Sequence, residues 1–229
     1  MRARLDTALV DRGLVESREK AKRLILAGAV RVAGQVAHKP SDLVADDAAI
    51  EVAAGEKFVS RGGHKLEAAL TALAIDCRDA VAVDLGASTG GFTDCLLQHG
   101  ARHVHAVDVG KGQLDWKLRQ DPRVVIHDQF NARNIALTDI GEPVGIVTVD
   151  VSFISLTKVL PAAVKLLAPG GVLVALIKPQ FEAGKKFVKR GGVVRDSAVH
   201  EQVKADITSL VTTGLGMELL GVIESPLLG

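Results

Sequence analysis

Apolar positions near the start of the chain follow two rhythms in succession. Leu5, Ala8 and Leu9 recur at helical spacing, which predicts a short helix within residues 4–12 that Gly13 ends. Ser17 is placed to cap a second helix with Ala21, Leu24 and Ile25 as its inward stripe, and Gly28 to end it in a left-handed conformation. Arg18 and Lys22, four apart, share a face of that helix. From Val30 the period shortens to two. Val30, Val32 and Val36 flank a turn at Gly34-Gln35, and Ile50 and Val52 supply a later strand. The prediction is a helix pair followed by a small sheet.

Between about Gly55 and Lys65 the run E-K-F-V-S-R-G-G-H-K-L is rich in glycine and charge, and reads as a linker into a new helix. This divides the chain into domains at 1–60 and 61–229. Beyond it, apolar runs alternate with helical stretches: Val81–Val83, Val104–Val107, Val124–Ile126, Ile146–Val149, Val172–Ile177 and Met217–Ile223. That alternation predicts an α/β fold with a doubly wound, Rossmann-like sheet behind a small α+β domain.

With 48% hydrophobic residues in 229, the chain can bury one full α/β core and carry a small appendage. No run reaches the roughly 18–20 apolar residues of a membrane span, and no apolar stretch follows Arg2 and Arg4 as in a signal peptide. A cytoplasmic location is expected. Cys77 and Cys95 have neither metal nor disulfide spacing, and His64, His103, His105 and His127 suggest no metal site. The net charge of +1 conceals a basic N-terminus: between Arg2 and Lys39 there are nine Lys/Arg against four acids.

Arg18, Lys20, Lys22, Arg23 and Arg31 would lie on one helix-turn-strand unit, where clustered cations gain affinity for nucleic acid by releasing phosphate counterions, and Arg4 is a further candidate RNA contact. A solvated basic face is the plainer alternative. The pattern R-L-D-x-x-L, G-L, S-R-x-x-A-K-R-L-I-L-A-G-A-V-x-V-x-G, from Arg4 to Gly34, resembles the RNA-binding domain named after ribosomal small-subunit protein S4. The resemblance implies binding of structured RNA by shape and backbone.

The run Asp84-Leu85-Gly86-Ala87-Ser88-Thr89-Gly90-Gly91-Phe92 follows the first strand of the larger domain and opens a helix. Glycines there let backbone approach a ligand, and a second acid, Asp108, ends the next strand where a carboxylate can meet ribose hydroxyls. The loop reads D-x-G-x-x-x-G-G, not G-x-G-x-x-G, which disfavours NAD. It resembles the first motif of class I methyltransferases. That implies S-adenosylmethionine held by Asp84, Gly86 and the Ser88, Thr89, Gly90 and Gly91 backbone, with Asp108 on ribose and Asp128 on adenine.

A ribose hydroxyl must lose its proton as it attacks a methyl group, so a base is needed. Lysine can serve where neighbouring charge and burial favour its neutral form. Lys65 in R-G-G-H-K-L, Asp150 in V-D-V-S-F-I-S-L and Lys178 in A-L-I-K-P-Q-F-E sit at or near strand ends, where open α/β sheets gather their chemistry. Asp150 and Lys178 should be neighbours, as a salt bridge or as part of an active site. These three motifs resemble the TlyA family, and the larger domain is similar to FtsJ-type RNA 2′-O-methyltransferases. The resemblance implies methylation of a cytidine ribose in ribosomal RNA or assembled subunits, by a Lys-Asp-Lys-Glu tetrad whose first three members are Lys65, Asp150 and Lys178, with Lys178 as general base. Its fourth residue and the last strand of the sheet would lie beyond Gly229, so a chain of this length is expected to be weak or inactive. The basic stretch from Glu182 to Arg195, with Lys185, Lys186, Lys189, Arg190 and Arg195, would form a mobile loop near the site. A noncatalytic RNA-binding protein is the alternative. A membrane-active role, suggested by the haemolysin name of some family members, has little support where aromatic content is 3%.

Overall fold

The computed structural model describes residues 2–53, 57–189 and 191–227. Gly55 and Glu56 of the expected linker, Arg190 of the basic stretch and the terminal Gly229 lie outside the described residues. The chain divides into two compact units, Met1–Lys57 and Phe58–Gly229.

The first unit contains β1 (Arg2–Arg4), α1 (Leu5–Asp11), α2 (Arg18–Leu26), β2 (Val30–Val32), β3 (Gln35–Val36), β4 (Leu43–Ala45) and β5 (Ile50–Val52). Leu5, Leu9, Ala21, Ile25, Val30 and Val44 form its core, so both helical stripes face inward as their spacing requires. Ser17 Oγ accepts the Lys20 amide at 3.3 Å and caps α2. The β2–β3 turn is centred on Ala33-Gly34, one residue earlier than the sequence suggests, because Val32 pairs with Gln35. Both turn residues have positive φ, +49° and +79°, as a two-residue hairpin of this twist demands. Strand β1, antiparallel to β4, has no sequence signal, being three residues with two arginines.

The second unit contains α3 (Gly62–Ala72), β6 (Val81–Leu85), α4 (Gly91–Gln98), β7 (His103–Val107), α5 (Trp116–Arg119), β8 (Val124–His127), α6 (Leu137–Ile140), β9 (Val144–Val149), α7 (Leu160–Val164), β10 (Leu167–Ala175), α8 (Pro179–Glu182) and α9 (Ser197–Ser209). Its five strands are parallel, in the order β10-β9-β6-β7-β8. Side chains alternate across the sheet: Val81, Val83 and Leu85 enter one core cluster, and Ala82 the other with α3 and α4. Burial on both faces explains why these strands read as unbroken apolar runs.

Two expectations are corrected. Met217–Ile223 forms no strand: no neighbour pairs with it among the described residues, and Leu219, Leu220 and Val222 are exposed. A strand requires a ladder, and apolar content alone does not supply one. Residues 58–63 are not a linker either. Phe58 is 1% exposed and packed in the core of the second unit, and Gly62 opens α3. A Cβ on Gly63 would collide with the Phe58 ring, whereas one on Gly62 would meet Ser60 Oγ at an ordinary 3.5 Å. Gly63→Ala is therefore expected to destabilise the second unit by about 1–3 kcal/mol in denaturant unfolding, and Gly62→Ala by distinctly less. Equal effects would show that the Phe58 approach is not what requires glycine.

Candidate active site

The turn from Leu85 into α4 is shaped by intramolecular contacts. Gly86, at φ +89°, passes so close to the next strand end that a Cβ would lie 2.7 Å from the Asp150 carbonyl oxygen. Gly90 leaves room for Leu114 and Leu118, and Gly91 for Ser60 and the Gly63 amide. The glycines thus admit protein neighbours, and of the sequence-predicted run only Gly86 and Ser88 border the adjoining cavity. Thr89, Gly90 and Gly91 do not line it. The Thr89 carbonyl accepts the Asp115 amide, which anchors α5 and its Trp116, 73% exposed, to the turn.

The cavity, about 1150 Å³, opens at the carboxyl ends of β6, β7 and β9. Its size exceeds what a single small ligand needs. Asp108 lies in its wall with both oxygens fixed by backbone donors: the Ser88 amide at 2.8 Å and the Gly110 amide at 2.7 Å. Each oxygen keeps a second lone pair for a ligand hydroxyl. Asp128 is turned elsewhere. Its Oδ2 accepts the Gly112 amide at 3.0 Å and lies 3.5 Å from Arg119, so it organises the loop after β7 and is not part of the wall.

Asp84 is corrected outright as a ligand contact. It is fully buried on the α4 side of the sheet, accepting Thr93 Oγ1 at 2.7 Å and Thr148 Oγ1 at 2.9 Å. Burial pushes its carboxyl up to about 6, opposed by the two threonine hydrogen bonds.

Asp150 and Lys178 are brought together as the β9–β10 pairing requires. Lys178 Nζ lies 2.7 Å from Asp150 Oδ1 and donates to Ser152 Oγ at 2.9 Å. The two segments are joined again farther along, where Glu182 accepts Ser155 Oγ at 2.6 Å and the Leu156 amide at 2.8 Å. Phe153, 91% exposed with φ +64°, stands at the cavity wall with its ring centroid 5.2 Å from that of Phe181. Sequence reasoning missed Ser152, Phe153 and Glu182, although all three lie inside the quoted motifs. Serine, phenylalanine and a helix-end glutamate carry no spacing signal, and only the fold sets them opposite Lys178 and its loop.

Lys65 sits half-buried on α3, and among the described residues no ion pair links it to Asp150 or Lys178. The basic stretch contributes Gly184 and Val188 to the cavity wall. No His, Cys, Asp or Glu cluster among the described residues could hold a metal, and no helix there is long and apolar enough to cross a membrane.

In the first unit, several expected RNA contacts have partners. Asp6 is fully buried between Arg4 Nε at 3.0 Å and Arg18 Nη2 at 3.1 Å, and the Arg4 hydrogen bond leads in holding its carboxyl far below the usual range. Both arginines still expose about half their side chains. Lys20 pairs with Glu16, Lys22 with Glu19, and Arg31 donates to the Gly34 carbonyl. Arg23 is exposed and without a partner among the described residues.

A parallel sheet with a glycine turn, an acid in the cavity wall and an Asp-Lys pair at its strand ends has the form of a methyltransferase domain, and residues 58–229 match the FtsJ-like methyltransferase family. Residues 3–50 match the S4 domain. With 47% identity over 100% of its length to the 16S/23S rRNA (cytidine-2′-O)-methyltransferase TlyA of Mycobacterium tuberculosis, covering 85% of that protein, the chain belongs to the TlyA family. It is also 45% identical over 87% of its length to Hemolysin A of Brachyspira hyodysenteriae, covering 84% of it. A solved structure from Streptococcus thermophilus, 44% identical, superposes with a TM-score of 0.74 over 100% of this chain and 84% of that one.

The raised carboxyl of Asp84 makes stability depend on pH. Below the unfolded value near 3.8 the group is protonated in both states, and as pH rises towards about 6 the unfolded chain ionises while the fold resists, so stability is lost. Asp84→Asn removes this slope. Its stability relative to wild type should grow by about 2–3 kcal/mol between pH 4 and pH 7 in urea unfolding. A constant difference would mean that the buried carboxylate ionises without penalty.

Proposed function

We propose that this chain methylates a cytidine ribose 2′-hydroxyl in ribosomal RNA, using S-adenosylmethionine, in the cytoplasm. The observation that carries the reading is the Lys178–Asp150 pair, whose Asp150 lines the same cavity as Asp108 and Ser88. The residues present fit the cofactor: Asp108 has lone pairs free for two ribose hydroxyls, and the Gly86–Ser88 backbone borders space for a methionine moiety. When bound, S-adenosylmethionine supplies an electrophilic methyl carbon. Lys178 takes the proton of the attacking hydroxyl at Nζ, and Asp150 holds the resulting ammonium. Lys65 enters through its motif, as a further cation of the tetrad. In the first unit, Arg23 and the exposed halves of Arg4 and Arg18, with Lys20, Lys22 and Arg31, face the phosphate backbone of the RNA.

The test is transfer of labelled methyl from S-adenosylmethionine to ribosomal subunits and purified rRNA, with the labelled position mapped. Label at a ribose 2′-oxygen is expected, falling about a hundredfold or more in Lys178→Ala while cofactor affinity changes less than about twofold. Binding of cofactor and RNA without transfer, both by this chain and by one extended through the expected last strand and fourth tetrad residue, would replace this reading with that of an RNA-binding protein.

A further inference from the structure

The ε-amine of Lys178 is held from one side. Asp150 and Ser152, two residues apart on the loop after β9, both contact Nζ, at 2.7 and 2.9 Å. They are not equivalent. Nζ donates a hydrogen bond to Ser152 Oγ, whereas Asp150 Oδ1 accepts none among the described residues, so that contact is a charge pairing off the hydrogen-bonding direction. The carboxylate therefore supplies charge, and the hydroxyl supplies direction.

We propose that Ser152 is a positioning residue for the reaction: its hydroxyl aims Lys178 Nζ and stabilises the protonated amine. Of the three positions that Nζ has besides Cε, Ser152 fills one and Asp150, lying off direction, fills none, so Nζ keeps positions for a substrate hydroxyl. Ser152 is exposed and its Oγ has no other bonding partner among the described residues. The loop that presents it continues into Phe153 in the left-handed region, which L side chains rarely adopt, and is tied down at Ser155 and Leu156 by Glu182. A side chain serving only the local fold would have little reason to sit on such a loop facing a lysine 26 residues away.

The inference rests on the reading of Lys178 as proton acceptor, and two measurements keep the two claims apart. The first needs no turnover: the full chain is acylated with acetic anhydride across a pH series, and labelling of Lys178 is read by mass spectrometry. An ammonium that loses an acceptor deprotonates more readily. The labelling midpoint should fall by about half a pH unit in Ser152→Ala and stay at the wild-type position in Ser152→Thr, which keeps the hydroxyl. The second is methyl transfer to rRNA, where Ser152→Ala should lower kcat roughly tenfold with KM changed less than about twofold, and shift the acid limb of the kcat–pH profile to lower pH. An unchanged labelling midpoint in Ser152→Ala overturns the proposal whatever the activity. Methyl transfer that survives Lys178→Ala overturns the base reading, whatever the midpoint.

Discussion

Within the second unit a carboxylate cut off from water ties three elements together. Asp84 lies on β6, and its oxygens receive hydroxyls from Thr93 on α4 and Thr148 on β9. Neither bond is optional in a medium that offers no replacement donor. Together they fix the start of α4 and the end of β9 relative to β6. Those are the two places from which the glycine turn and the Asp150 loop depart, and the close pass of Gly86 over the Asp150 carbonyl depends on them. The sequence presents Asp84 as an acid beside a ligand loop, and the fold uses it one layer deeper, to hold that loop in place.

Much of this architecture was legible in the chain. Period-two and unbroken apolar runs located the five parallel strands, since burial on both faces leaves a signature that survives without an alignment. The neighbourhood of Asp150 and Lys178 followed from strand order. Legibility failed where a feature depends on a partner distant in sequence. Phe58 and the glycine-rich stretch read as a linker because glycine looks flexible until the ring packed against Gly63 is seen. Met217–Ile223 read as a strand because apolar content was taken for pairing. Gly86, Gly90 and Gly91 read as glycines that admit a ligand, whereas in the structure they admit protein neighbours, and only Gly86 borders the cavity.

Charges in the two units are organised in opposite ways. In the cavity wall, Asp108 is fixed by two backbone amides, which leaves its orientation independent of mobile cations. In the first unit, cations are fixed by carboxylates, with Arg4 and Arg18 clamped on buried Asp6. A buried acid loses a great deal if either arginine leaves, so these two guanidinium groups are preset in position, whereas Arg23 is free to adapt. A count of basic residues does not distinguish the two kinds.

Trp116 has an optical consequence. It is the sole tryptophan in a chain without tyrosine, and it sits on α5, whose preceding residue is bonded to Thr89 of the glycine turn. Ultraviolet emission from this protein therefore originates at one solvent-facing indole beside the glycine turn. The molecule carries a built-in fluorophore, and spectral changes on titration with a nucleoside or a polynucleotide report from that locus without a dye.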